Sequence, residues 1–186
     1  MPPFFNESEW RWGLQGLWDG RDNTVETRHG YYLRWGFYAL PSDGQTGFGT
    51  GVGQAELDAR YFGTVLGNAV LAGRVNAAFT SGNPSYSFEY SLGGLDELRG
   101  FHTNRFRGTQ FYGAQGELRF PIVSFLWGST SLDLGDATDG VFGTPLASWQ
   151  VGIRSMRFTG NGLVLRVDSG FGKDGMTTIL SANEPF

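Results

Sequence analysis

Polar and apolar residues alternate with a period of two over most of the chain, and that period predicts strands. Trp10, Trp12, Leu14, Gly16 and Trp18 oppose Arg11, Gly13, Gln15 and Leu17; from His29 to Leu40, Tyr31, Leu33, Trp35 and Phe37 oppose Tyr32, Arg34, Gly36 and Tyr38. Gln54, Glu56, Asp58 and Arg60 then face away from Ala55, Leu57, Ala59 and Tyr61, and Leu71, Gly73, Val75, Ala77 and Phe79 away from Ala72, Arg74, Asn76 and Ala78. Gln115, Glu117 and Arg119 form the polar side of the next segment, against Ala114, Leu118 and Phe120. Pro121 is read as starting a tight connection, after which Leu126, Thr130, Leu132 and Leu134 oppose Trp127, Ser129, Ser131 and Asp133. A loop over Gly135 to Pro145 leads to Ala147, Trp149, Val151 and Ile153 against Ser148, Gln150 and Arg154. Leu163, Leu165 and Val167 then oppose Arg166 and Asp168, and Met176 to Phe186 closes the series. Turn clusters separate the segments: Asp19 to Asn23, Pro41 to Gly44, Gly67-Asn68, Thr159 to Gly162 and Gly172 to Gly175. Nine strands are predicted, the first on the weakest pattern.

One long interval breaks the alternation, residues 81–110, where Gly93-Gly94-Leu95-Asp96-Glu97-Leu98-Arg99-Gly100-Phe101 precedes a polar and aromatic run. Phe88, Tyr90, Leu92, Leu95, Leu98, Phe101 and Phe106, with Phe111 just beyond, give it much to bury, so it is expected to fold back onto the strands and to carry function. Thirty glycines, sixteen phenylalanines, six tryptophans and 17% charged residues favour strands over helix bundles or disorder. A length of 186 residues is read as one domain or part of one. Neither a leader nor an apolar run of membrane-helix length is read, leaving a soluble all-β domain or an outer-membrane barrel. Two features favour the barrel: Trp and Tyr gather near segment ends, as an interfacial belt requires, and charges of both signs sit mid-strand on the polar faces. The expected fold is therefore all-β, an antiparallel transmembrane β-barrel with about eight or nine strands present and the 81–110 loop in its lumen.

Leu98-Arg99-Gly100-Phe101 resembles the (V/I/L)-R-G-(F/Y) motif in the sixth extracellular loop of the BamA/TamA-like superfamily of outer-membrane insertases and translocases. Gly113 to Pro121 resembles the strand after that loop, and Leu132-Asp133-Leu134-Gly135-Asp136 the family's D-x-G strand. Val164 to Phe186 resembles its last two strands, with Phe186 as the C-terminal assembly signal. Together these motifs cover most of residues 28–186. The resemblance implies that Arg99 reaches into the lumen to pair with Glu117 and Asp133. Strand periodicity independently allows it, because both acids lie on polar faces of adjacent segments and one guanidinium fork can serve two carboxylates. The family barrel has sixteen strands behind periplasmic POTRA domains. No POTRA domain is read here and half of the family's strands are absent. The chain is therefore expected to be the C-terminal part of a larger barrel, one of two copies that combine, or a barrel whose first segment is not a membrane strand. The first is favoured, and since open edges do not face lipid such a part should self-associate when alone.

On that resemblance the expected function is assistance to the insertion of outer-membrane proteins, or protein translocation, in the outer membrane of a Gram-negative-type bacterium. Outer-membrane lipid and unfolded client proteins are the expected partners, and the last strand would template an incoming one. No cofactor, metal or catalytic group is required. A net charge of −4 without a basic block argues against nucleic acid, and the absence of cysteine removes disulfides and thiolate chemistry. The alternatives are a passive structural or pore-forming barrel, and an anchor or exporter for an N-terminal enzyme domain. A lipid hydrolase built on His29 or His102 is disfavoured, because no spacing marks a triad.

Overall fold

The computed structural model describes residues 11–40, 52–82, 84, 86–94, 97–155 and 164–182. Trp10, the Pro41 to Gly44 and Thr159 to Gly162 turns, Leu95, Asp96 and Phe186 lie outside the described residues.

The chain is all-β. Strands β1 (Trp12–Asp19), β2 (Gly30–Leu40), β3 (Val52–Val65), β4 (Ala69–Thr80), β7 (Gln110–Val123), β8 (Leu126–Thr138), β9 (Leu146–Ser155), β10 (Leu165–Gly172) and β11 (Gly175–Ala182) form one nine-stranded sheet. Every neighbouring pair is antiparallel and follows chain order. Among the described residues no ladder joins β1 to β11, so the sheet is not closed. Two short strands, β5 (Tyr90–Leu92) and β6 (Phe106–Gly108), pair with each other inside the long connection between β4 and β7. No helix among the described residues is long and apolar enough to cross a membrane.

The alternation places each face as its chemistry dictates, but in reverse of a water-soluble protein. Leu57, Leu71, Val75, Phe79, Leu132, Leu134, Trp149, Val151, Ile153 and Val167 are exposed on one face. On the other, Gln54, Asp58, Asn76, Gln115, Glu117, Asp133, Gln150, Arg154, Arg166 and Asp168 are buried. The 81–109 connection packs on this second, inner face. Its apolar residues Leu92, Leu98 and Phe101 join Ala78 of β4 and Phe111 of β7 in a small core, with Phe101 and Phe106 edge to face at 5.5 Å.

Three boundaries differ from the sequence reading. Pro121 does not begin a connection; β7 runs on to Val123, with a register shift between Pro121 and Val123. A bulge is where a strand tolerates a residue without an N–H donor. Gly135 to Thr138 continue β8 instead of opening a loop, because β7 begins at Gln110, which pairs with Thr138. Neither stretch carries the apolar alternation that marks a strand by pattern. The 81–110 interval, finally, is not strand-free, since it holds the β5–β6 hairpin and a 3₁₀ turn over Tyr86–Phe88.

The connections sort to two ends. Residues 81–109, 139–145 and the Lys173-Asp174 turn lie at one, here the loop end; 20–29, Leu66 to Asn68 and Ser124-Phe125 lie at the other, the turn end.

Candidate functional site

The site begins with the backbone of the long connection. Gly93, Gly94 and Gly100 have φ of 119°, 105° and 93°, values at which a side chain is strained. Gly100 also lies against β10 so closely that an added Cβ would sit 2.8 Å from the backbone of Phe171 and Gly172. Opposite it, a Cβ on Gly170 would stand 2.5 Å from the Gly100 nitrogen, and one on Gly172 would meet the Phe101 ring at 2.8 Å. The motif Leu98-Arg99-Gly100-Phe101 thus rests in a glycine-cleared track on β10, with Leu98 and Phe101 turned into the small core.

This seating aims Arg99 at the two acids. Its Nε and Nη2 donate to the two Asp133 oxygens at 2.9 and 3.0 Å, and its backbone N–H donates to Asp133 Oδ2 at 3.1 Å. Nη1 donates to Glu117 Oε2 at 2.7 Å. The Arg99 side chain is 2% exposed and both acids are 0% exposed, so water does not compete for these bonds. The Arg–Asp pairing is the two-pronged form in which planar geometry adds to charge.

Glu117 serves more than Arg99. Its Oε1 accepts from Arg119 Nε at 2.7 Å and Arg154 Nη2 at 2.8 Å, and Arg166 Nη2 stands 3.7 Å from Oε2. Arg166 also meets Asp168 at 2.8 Å, and Gln150 Nε2 donates to Asp168 Oδ1 at 2.6 Å. Ser131 Oγ donates to Gln150 Oε1 at 3.1 Å, which carries the network across β8 and β9. Space for Asp168 comes from Gly152, where a Cβ would collide with its carboxylate. Four buried arginines therefore surround three buried acids on the inner face of β7 to β10.

Sequence reading had singled out Leu98, Arg99, Gly100, Phe101, Glu117 and Asp133, and the structure brings these six together. It passed over Arg119, Arg154, Arg166, Asp168 and Gln150. All five stand on the polar side of the alternation, and Arg154 and Arg166 are direct cross-strand partners. Two like charges placed opposite each other without water require a counter-ion, and Glu117 is the buried acid within reach of both. That signal needs the register, which spacing alone does not supply.

A second network lies on β3 and β4: Asp58 accepts paired bonds from Arg60 and Arg74 between 2.7 and 3.1 Å. Beside it, between β3, β4 and the long connection, is a polar cavity of about 280 Å³ that reaches Arg34, Asp58, Arg74, Asn76 and Glu97. His29 is at the turn end with Nε2 2.9 Å from Thr64 Oγ1, whereas His102 is exposed in the long connection at the loop end. The structure does not bring the two histidines together.

Searched against models of known protein families and against curated proteins, the chain matches none at a significant level.

Proposed function

We propose that the chain is a wall segment of an outer-membrane β-barrel of the BamA/TamA-like type, acting in the insertion of outer-membrane proteins or in protein translocation. Arg99, held by Asp133 on one side and Glu117 on the other, is the observation that carries this reading. A passive wall needs only a short turn between β4 and β7, whereas burying a loop arginine against two acids carries a desolvation cost that an insertase-type loop motif would account for. The sheet's chemistry supports the same reading: apolar side chains face out, where acyl chains would lie, and the charged side is inner and buried.

In this reading the pinned loop keeps the interior filled while the sheet's edges remain available. β1 and β11 run in the same direction, because nine antiparallel strands separate first from last by an even number of reversals. Closure through antiparallel pairs alone therefore takes an odd number of further strands, and seven would complete the family's sixteen. Backbone N–H and C=O groups along the outer side of β11 form the template for an incoming client strand. The chemistry is hydrogen-bond exchange, with no bond made or broken.

The test is reconstitution in lipid vesicles with an unfolded outer-membrane protein as client. The proposal expects faster client folding than in bare vesicles, and loss of that gain with Arg99→Ala at unchanged β content. No acceleration by the folded protein would refute it. Ion conductance that persists equally with and without Arg99, alongside no acceleration, would favour the passive pore.

A further inference from the structure

The connection between β1 and β2 is the unexpected element at the turn end. Where β3–β4 and β7–β8 are joined by Leu66 to Asn68 and by Ser124-Phe125, this connection spans residues 20–29. It is a built structure. Its base is closed by Gly20 N–H to the Tyr31 carbonyl at 2.9 Å and Asp22 N–H to the His29 carbonyl at 3.0 Å. Asn23 Oδ1 accepts from the Val25 and Glu26 amides at 2.8 and 3.1 Å, and Asp22 Oδ1 from the Arg28 and His29 amides at 3.0 and 3.2 Å. Thr27, at the far side of the segment, is buried, its hydroxyl donating to the Asn23 carbonyl at 2.6 Å.

The segment reaches across the inner face to β7 and β8, strands that are not its sheet neighbours. The Arg28 guanidinium lies 5.1 Å from the Trp127 ring centroid and is steadied by Glu26 at 2.7 Å. Trp127 and Val70 are both buried in contact with each other, at the end of the sheet that Thr27 and Arg28 cover. Arg119 Nη1 points at the Thr27 carbonyl, 3.5 Å away. Arg119 Nε is bonded to Glu117 Oε1, and Glu117 Oε2 to Arg99 Nη1, each at 2.7 Å. A second route runs from Trp127 to its cross-strand partner Arg154, which meets Glu117 Oε1 at 2.8 Å. One carboxylate therefore faces the turn-end segment through one oxygen and the loop-end motif through the other.

We propose that residues 20–29 are a second inward plug, and that Glu117 couples it to the docking of the 81–109 loop. The coupling is physical: Arg119 and Arg154 hold the Glu117 carboxylate in the one orientation that presents Oε2 to Arg99. When the turn-end plug lifts, Arg119 loses the Thr27 carbonyl and Trp127 loses its cover. Both guanidinia gain water, and their hold on Glu117 Oε1 weakens. The loop-end motif then loses part of its clamp, although nothing at the loop end has changed. A segment binding at the turn end could release the loop by this route. The inference rests on the contacts around Glu117 and not on the insertase reading.

Coupling between distant segments needs an energetic test, because contact alone does not establish it. The chain has no cysteine, so single thiols report cleanly. In folded protein in detergent, Leu98→Cys places a thiol at a buried loop position and Thr27→Cys one in the plug. The expected result is that Arg28→Ala combined with Trp127→Leu raises maleimide labelling at both sites, about tenfold at Leu98→Cys, a rise that corresponds to 1.4 kcal/mol of docking free energy at 25 °C. Labelling that rises at Thr27→Cys and stays unchanged at Leu98→Cys would overturn the coupling. Should those variants not fold, hydrogen exchange on the unaltered protein decides. Coupling expects the opening free energies of the Arg28 and Arg99 amides to fall together across a denaturant series; an Arg99 amide whose protection is unchanged while Arg28 opens refutes it.

Discussion

Glu117 carries the heaviest burden of any single residue. It is the shared counter-ion of Arg99, Arg119 and Arg154, with Arg166 also within 3.7 Å, whereas Asp133 answers chiefly to Arg99. Replacing Glu117 with Gln leaves four buried cations around a neutral amide, a loss of about 3–5 kcal/mol. Asp133→Asn removes one countercharge and leaves Arg99 on Glu117, so a smaller loss is expected. Urea unfolding in detergent micelles ranks the two, and equal midpoints would contradict this division of roles. At Gly100 a methyl group meets both a positive φ and the β10 backbone, so Gly100→Ala should cost about 1–3 kcal/mol and undock the motif while the sheet persists. Asp22 gives a pH signature. Burial raises its carboxyl pKa, but the Arg28, His29 and Asn23 amides outweigh that and hold it below the ordinary value. A carboxylate depressed in the fold stabilises above its unfolded pKa, near 4, and that stabilisation is lost as pH falls through the lower folded value. Deuterium uptake by residues 20–29, corrected for intrinsic rate, should rise over that acidic window and be flat in Asp22→Asn.

The strands were legible because each side of the sheet has a uniform chemistry, so the period of two survives from residue to residue. Alternation assigned Gln54, Asp58, Asn76, Gln115, Glu117 and Asp133 to one face, where they are all found. Strand ends were less legible for a physical reason. Gly135 to Thr138 and Gln110 to Gly113 extend their strands through mutual backbone pairing, which side-chain pattern does not encode. The β5–β6 hairpin was hidden likewise, its strands being three residues each and held by packing on the sheet. Of the 20–29 segment the sequence shows only the Asp19 to Asn23 turn, because its order comes from Asn23 and Asp22 side chains bonding to backbone, which composition reads only as turn-forming. As for the site, one arginine and two acids could be named from the motif, but the other three arginines required the register. If the long connection is a docked element, replacing residues 84–105 with a short Gly-Ser link should leave the far-UV circular dichroism of the sheet largely intact. The same change should lower the urea midpoint, since Leu92, Leu98, Phe101 and Arg99 all leave the interior. An unchanged midpoint would show that the connection adds nothing to stability.

For the whole molecule the governing fact is that charge lies within and apolar surface without, around an open nine-stranded sheet. In water such an exterior would drive aggregation, whereas in a bilayer it is the favoured arrangement. Under the proposed outer-membrane reading, the buried arginines and acids are the polar side that the wall turns away from lipid, and the loop motif packs against that side. Tryptophan offers a direct reading of which side meets the acyl chains, since Trp149 is exposed on the outer face and Trp127 is buried on the inner one. Single-tryptophan variants, each reconstituted into vesicles whose lipids carry bromine on the acyl chains, would be compared by fluorescence. The account predicts strong quenching of Trp149 and little quenching of Trp127. Equal quenching of the two, or quenching of Trp127 alone, would contradict it.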